Sequence, residues 1–163
     1  MSTRRGATLI ELVLVMMVIF TMAMVVAPRF SDFLPALQVR SAADGLFATA
    51  GKARADAVLT GARYRLVIDP GARTYGISYE PRPVKAPGKF EKLGGAWSEE
   101  ELPREVVLES TDGFSDADGK RFLEFRPDGT AKEASIVLAN DRGDRRTIKI
   151  SAATGAAKIE APQ

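Results

Sequence analysis

The residues of this chain that could do chemistry are few, and they are charged rather than nucleophilic. Its 163 residues include no His and no Cys. The commonest general base, the commonest metal ligand and the usual activator of a Ser nucleophile are therefore missing. No Gly-rich phosphate loop follows a strand-like run either. Two polar constellations remain. Asp112, Asp116 and Asp118, with Gly113 and Gly119, set carboxylates at a short spacing that can supply oxygen ligands to calcium. The spacing is not that of an EF-hand and Asp-Gly pairs are good turn formers, so turns are expected here and no metal. Arg142, Arg145 and Arg146, with Lys149, make a basic corner that could hold phosphates. Asp141 and Asp144 are interleaved with them, so a solvated charged turn is expected and nucleic acid is not expected as a partner. The chain is read as a non-enzyme, with no cofactor and no small-molecule substrate.

A third ionisable residue stands alone. Glu11 is the single charge between Ala7 and Ala27. A carboxylate in a membrane-length apolar helix costs about 2.5–3.5 kcal/mol at the bilayer centre, less near an interface, and it needs a partner. Twenty-one residues at about 1.5 Å each span roughly 31 Å, enough for the hydrocarbon core. Arg4 and Arg5 precede the run, whereas Arg29 and Asp32 balance just after it. The excess of positive charge puts the N-terminus in the cytoplasm and the remainder outside. A secretory signal peptide would have a shorter apolar region and a small-x-small cleavage site, but Pro28-Arg29-Phe30 follows. An ordinary signal anchor would leave the Gly6 to Glu11 spacing unexplained.

Gly6, Ala7 and Thr8-Leu9-Ile10-Glu11-Leu12 together resemble the prepilin signature of the type IV pilin and type II secretion pseudopilin superfamily. There a short basic leader ends in Gly, and the mature chain carries Glu as its fifth residue. The resemblance implies cleavage between Gly6 and Ala7 by a prepilin peptidase and methylation of the new Ala7 amine. It assigns Glu11 to contact with neighbouring subunits and Pro28 to the helix kink. Ala7 stands where Phe is commonest. Removing residues 1–6 takes away two of the 23 basic residues, Arg4 and Arg5, leaving 21 to match the 21 acidic ones.

The elements that must carry these residues can be read from periodicity. From residue 36 to 59 apolar side chains recur at helical spacing: Val39, Ala43, Leu46, Phe47, Ala50, Ala53, Ala57 and Val58. Arg40, Asp44, Lys52 and Asp56 lie off that stripe, so one face should meet a core. Gly45 and Gly51 each cost about 1 kcal/mol of helix propensity, and close approach to a sheet is the expected reason. Thr60-Gly61 is a stop signal, and a bend is expected between Pro28 and Pro35. From residue 62 the period becomes two. Tyr64, Leu66 and Ile68, then Tyr75, Ile77 and Tyr79, flank Asp69-Pro70-Gly71 as a hairpin. Further strands are expected at 106–109, 121–125, 135–139, 147–151 and 157–160, separated by Gly- and Asp-containing turns.

This half resembles the H-type GspH/FimT branch of the same superfamily. The residues are Phe125-Arg126-Pro127-Asp128-Gly129-Thr130, then Ile136 to Leu138, a Gly143 to Arg146 turn, Ile148 to Ser151, and Thr154-Gly155. The expected fold is α+β and pilin-like, a long N-terminal helix packed on a C-terminal antiparallel β-sandwich. The expected divisions are a leader at 1–6, a transmembrane and assembly helix at 7–27, its amphipathic continuation at 28–60, and a periplasmic β-rich domain at 61–163. Residues 80–104, rich in Pro, Gly and charge, should form a long exposed loop in which Phe90, Leu93, Trp97 and Leu102 either tack it down or form a docking surface. The resemblance implies a GspH-like minor pseudopilin of type II secretion, anchored in the bacterial inner membrane and built into a periplasmic pseudopilus. The alternative is a FimT-like minor type IV pilin acting in pilus assembly or DNA uptake. In DNA-uptake members a Gly-Arg-x-Arg motif binds DNA; here Asp144 breaks it. The partners expected are the prepilin peptidase, other pseudopilins or pilins, and the inner membrane.

Overall fold

The structure, a computed structural model, describes residues 8–97 and 99–160, without the side chains of residues 25–33 and 96. Helix α1 runs Leu9–Thr60. By packing the chain divides into Met1–Pro35 and Ala36–Gln163, and each is described by itself. Pro28 is one of the residues whose side chains lie outside the description, so the kink assigned to it stays an expectation.

In the second unit α1 ends where the sequence says it should. Gly61 adopts φ 67°, and its N–H donates to Ala57 O at 3.1 Å. The buried line of the helix is Val39, Ala43, Leu46, Ala50, Ala53 and Ala57, flanked by Ala42 and Thr49. This 4-3-4-3-4 spacing is one face of an α-helix. Phe47 and Val58, expected on that face, are 41% and 51% exposed. Each sits one position from the line, which at about 100° per residue turns it away from the core. Mostly Ala on the buried line lets the helix backbone come near the sheets. A Cβ at Gly45 would stand 2.4 Å from Tyr75 Oη, so this glycine is required by close approach. Gly51 is not: it is exposed, and a Cβ there would meet nothing within 4 Å.

The helix packs on two antiparallel sheets, giving the expected α+β fold. The first has β1 (Tyr64–Asp69) at its centre, between β2 (Thr74–Tyr79) and β7 (Lys120–Phe125). Short strands β3 (Glu91–Lys92) and β4 (Glu100–Glu101) both pair with β2, and β6 (Ser115–Ala117) pairs with β7. The second runs β10-β9-β8-β5, from Ala157–Glu160, Arg145–Ile150, Ala134–Ala139 and Val107–Asp112. Leu66, Ile68, Ile77, Leu123 and Phe125 from the first sheet, and Ile136, Leu138, Ile148 and Ile150 from the second, are buried with the helix line in one core. Each such side chain contributes about 1.5–3 kcal/mol on full burial. β3, β4 and β6 were not foreseen: two or three residues are too few for a period to show.

The Phe-x-Pro-Asp-Gly and Thr-Gly motifs meet in space. Asp128 Oδ1 accepts bonds from Thr130 N at 2.9 Å and Thr130 Oγ1 at 2.6 Å, shaping the first turn. Gly155, at φ 58°, backs onto it so closely that a Cβ would lie 2.4 Å from Gly129 O. Arg54 of α1 closes the cluster, its Nε donating to Thr154 O at 2.5 Å. Gly155→Ala should therefore lose about 2–3 kcal/mol through backbone strain and overpacking. Gly51→Ala should gain up to about 1 kcal/mol in helix propensity. Chemical denaturation of the two variants in detergent should give midpoint shifts of opposite sign; a destabilised Gly51→Ala would mean that this glycine has an intramolecular role.

Candidate functional site

Thr8 and the first turn of α1 set the geometry around Glu11. Glu11 N donates to Thr8 O at 3.1 Å and to Thr8 Oγ1 at 3.4 Å, so Thr8 is the N-cap and Glu11 is the third helical residue. A carboxylate there also faces the positive end of the helix dipole. The Thr-x-x-Glu spacing is a capping-box signature and was readable from the sequence. Among the described residues no cation lies within ion-pair distance of Glu11. Gly6 and Ala7, the expected cleavage and methylation residues, lie outside the described residues.

From Leu12 to Met24 the helix is apolar on nearly every side, and no other described residue covers it. Large apolar side chains from Leu9, 82% exposed, to Met24, 77% exposed, point outward in all directions, and the least exposed of them, Val18, is still 47% open. A helix apolar all round belongs inside a membrane or a bundle. Among the described residues no helix is long and apolar enough to cross a membrane. The described side chains of the apolar run end at Met24, and residues 9–24 span only roughly 24 Å at the standard rise. The expected span, 7–27, continues past them.

The basic corner is brought together and largely neutralised. Arg145 and Arg146 line a groove of about 690 Å³ together with Glu109, Asp141 and Asp144. Arg145 Nη2 lies 2.5 Å from Glu109 Oε1, and Lys149 Nζ lies 3.0 Å from Glu160 Oε2. The turn is organised by Asn140, whose Oδ1 accepts from the backbone N–H of Arg142 and of Asp144, each at 3.0 Å. Asn140 Nδ2 donates to Asp144 Oδ2 at 2.8 Å. Asp144, the residue that breaks the Gly-Arg-x-Arg pattern, thus holds the turn together.

Of the three acidic residues expected in turns only Asp118 is in one; Asp112 ends β5 and Asp116 lies within β6. Asp118 and Gly119, at φ 53° and 72°, form the two-residue hairpin between β6 and β7, the backbone that Asp-Gly favours. Asp116 faces Arg121 across that hairpin. Among the described residues no group of three acidic side chains is placed to hold a metal ion.

The segment at 80–104 is pinned rather than loose. Glu80 is fully buried. Its carboxylate takes a two-pronged bond from Arg63, Nε and Nη2 each at 2.7 Å, and a third from Gly88 N at 2.5 Å. These bonds, Arg63 first, hold its pKa below the usual carboxylate range. At the other end Arg73 Nη2 donates to the carbonyls of Pro103, Arg104 and Val106. Between these anchors, Arg65 sits 3.4 Å from the Phe90 ring centre and 4.2 Å from that of Phe122. Leu93 and Trp97 pack against the core and Leu102 is buried. Phe90, Leu93, Trp97 and Leu102 therefore tack the segment down. Glu80 was not anticipated from sequence, since a Glu in a Pro-rich stretch reads as solvated.

No family model and no curated protein matches the chain. Solved structures do. The minor pseudopilin EpsH from the type 2 secretion system of Vibrio cholerae superposes with a TM-score of 0.62 at 13% identity, covering 77% of this chain and 98% of that one. The chain has the fold of that solved structure. A second likeness is to E. coli GspH, with a TM-score of 0.57 at 17% identity and coverage of 77% and 89%. The type IV minor pilin FimU of Pseudomonas aeruginosa gives a TM-score of 0.55 at 18% identity and coverage of 80% and 97%. The α+β fold expected from the sequence is thus the one seen in these secretion and pilus proteins.

Two measurements test these sites. Acid should weaken the Glu80 clamp: a carboxylate with a depressed folded pKa contributes stability that is full above its unfolded value, about 4.3, and is lost as pH falls through the folded one. Glu80→Ala should cost roughly 2 kcal/mol at neutral pH, less than a fully buried pair because Arg63 stays within reach of water. It should also flatten the stability profile below about pH 4; a variant with the parent's acid limb would remove Glu80 from that role. Separately, the full chain in detergent should show no saturable binding to duplex DNA at physiological salt up to about 10 μM, by fluorescence anisotropy. Replacing Arg142, Arg145 and Arg146 together by Gln should change nothing. Micromolar binding abolished by that triple change would instead put DNA at this corner.

Proposed function

We propose that this chain is a structural subunit of a pilin-like filament, a GspH-like minor pseudopilin of a type II secretion system, and not an enzyme. The observation that carries the reading is an all-round apolar, uncovered helix half attached to a domain of minor-pseudopilin fold. On this reading a prepilin peptidase cuts between Gly6 and Ala7, and Ala7 becomes N-methylated. The helix first holds the protein in the inner membrane with the domain in the periplasm, then packs with the helices of other pseudopilins. Pro28 supplies the kink. Glu11 neutralises the Ala7 amine of an adjacent subunit, which offsets the cost of placing both charges in a low-dielectric bundle.

A minor type IV pilin is the second reading, favoured by the likeness to FimU. The neutralised basic corner weighs against its DNA-uptake form, since phosphate binding needs uncompensated cations and stacking aromatics. Neither aromatic nor free charge excess lies among the residues of that groove.

Protein recovered from membranes should begin at Ala7, carrying one added methyl group by intact-mass analysis. An intact Met1 in cells with active peptidase would defeat the processing step. Glu11→Ala should insert and be cleaved normally, yet co-purify with partner pseudopilins at least about tenfold less, since one buried charge is left without its counter-charge. Normal co-assembly of that variant would remove Glu11 from the register.

A further inference from the structure

We infer that residues 81–89 are a preorganised docking knob, and that its partner is an acid-rimmed apolar notch on a neighbouring subunit of the assembly. The inference rests on the subunit reading above and deepens it by naming a second contact, on the domain rather than on the apolar helix.

The knob is Pro81-Arg82-Pro83-Val84-Lys85-Ala86-Pro87-Gly88-Lys89. Its apex, Val84, is 91% exposed, the most open large apolar side chain of the domain. Arg82, Lys85 and Lys89 are all exposed around it. Among the described residues no carboxylate lies within ion-pair distance of any of the three. The segment contains no acidic residue, so it presents three positive charges around one apolar point. Elsewhere on the domain Arg145, Lys149, Lys92 and Lys120 each face a carboxylate at 3.0 Å or less.

The knob is also rigid, which separates it from an ordinary basic loop. Its base closes on one buried carboxylate, with Glu80 N donating to Arg63 O at 2.9 Å and Gly88 N donating to Glu80. Ala86 N donates to Arg82 O at 2.9 Å, folding the tip into a turn around Val84. Three prolines within it fix backbone φ. A knob ordered before binding loses little conformational entropy on docking. An ordered apolar apex inside a ring of like charge fits a protein surface that has an apolar pocket and an acidic rim: the apex supplies the buried contact and the ring supplies orientation. A polyanion would use the charges and leave Val84 in water, so it fits the knob less well. The base of the knob adjoins Arg63, three residues past the end of α1.

The test places a photoreactive amino acid at Val84 in the full-length chain, in cells producing the whole assembly, with a second probe at Leu14 on the apolar helix. The Leu14 probe reports whether the chain is a filament subunit at all, so absence of Leu14 adducts would overturn the subunit reading itself. The expected result is a Val84 adduct whose partner peptide, mapped by tandem mass spectrometry, belongs to a neighbouring pilin-like subunit and contains Asp or Glu. Its yield should fall at least about tenfold when Arg82, Lys85 and Lys89 are all changed to Glu, with Leu14 adducts unchanged. Leu14 adducts without Val84 adducts, a Val84 adduct indifferent to charge reversal, or one confined to lipid or nucleic acid would each overturn the docking knob while leaving the subunit reading intact.

Discussion

From Leu9 to Met24, α1 carries exposed apolar surface that no other described element covers. Each of its large side chains is worth about 1.5–3 kcal/mol when removed from water, and from Leu9 to Met24 almost every residue is of that kind. No strand or second helix among the described residues covers them. Everything else in the protein is consistent with a chain that delegates this burial to its surroundings. The domain contains its own closed core, and the part of the helix within it buries one face.

That second unit depends on closeness. Ala at most positions of the buried helix line, and Gly45 beneath Tyr75, let the helix lie against the sheets with no room for larger residues. Tyr75 Oη donates a hydrogen bond to Glu100 Oε2 at 2.5 Å, and burial keeps its pKa well above the ordinary phenol range. The phenol brought under the helix is thus satisfied rather than stranded, which avoids the cost of an unpaired buried donor. The same economy appears at Glu80, where one buried carboxylate serves as the fastening for a segment with little regular structure of its own.

Much of this was legible in the sequence, for identifiable reasons. The helix line, its stop at Thr60-Gly61 and the seven longer strands follow from periodicity and turn chemistry, which are local. The Asp-Gly pair at 118–119 was legible as a turn, whereas the Thr8 cap on Glu11 was not read although its spacing was there. What was not legible is non-local. Gly45 and Gly51 look alike in sequence, yet one meets a tyrosine from β2 and the other meets solvent. Phe47 and Val58 read as core until the helix is placed on the sheets. Glu80 becomes an anchor only because β1 carries Arg63 to it, and Asp144 becomes a turn brace only because Asn140 curls back. Side-chain partners across the fold are set by topology, and no window of the sequence holds them.

The same physics bears on how such a subunit would leave a bilayer on the proposed reading. Lipid tails are as apolar as leucine, so moving the Leu9 to Met24 surface from lipid into a bundle of similar helices gains little from hydrophobicity. The transfer must be favoured by terms that differ between the two settings. Glu11 is one, because a carboxylate without a counter-charge in the membrane carries a cost of up to about 2.5–3.5 kcal/mol that an opposite charge from a neighbour would relieve. Contacts made by the domain are the other, since they exist only once subunits are stacked. A single relieved charge is enough to set register but small against the several kcal/mol of lost freedom that association entails. The domain surface must then supply the difference, and an ordered, uncompensated, apolar-tipped projection such as the Val84 knob is the kind of feature that can do so without burdening the domain's own core.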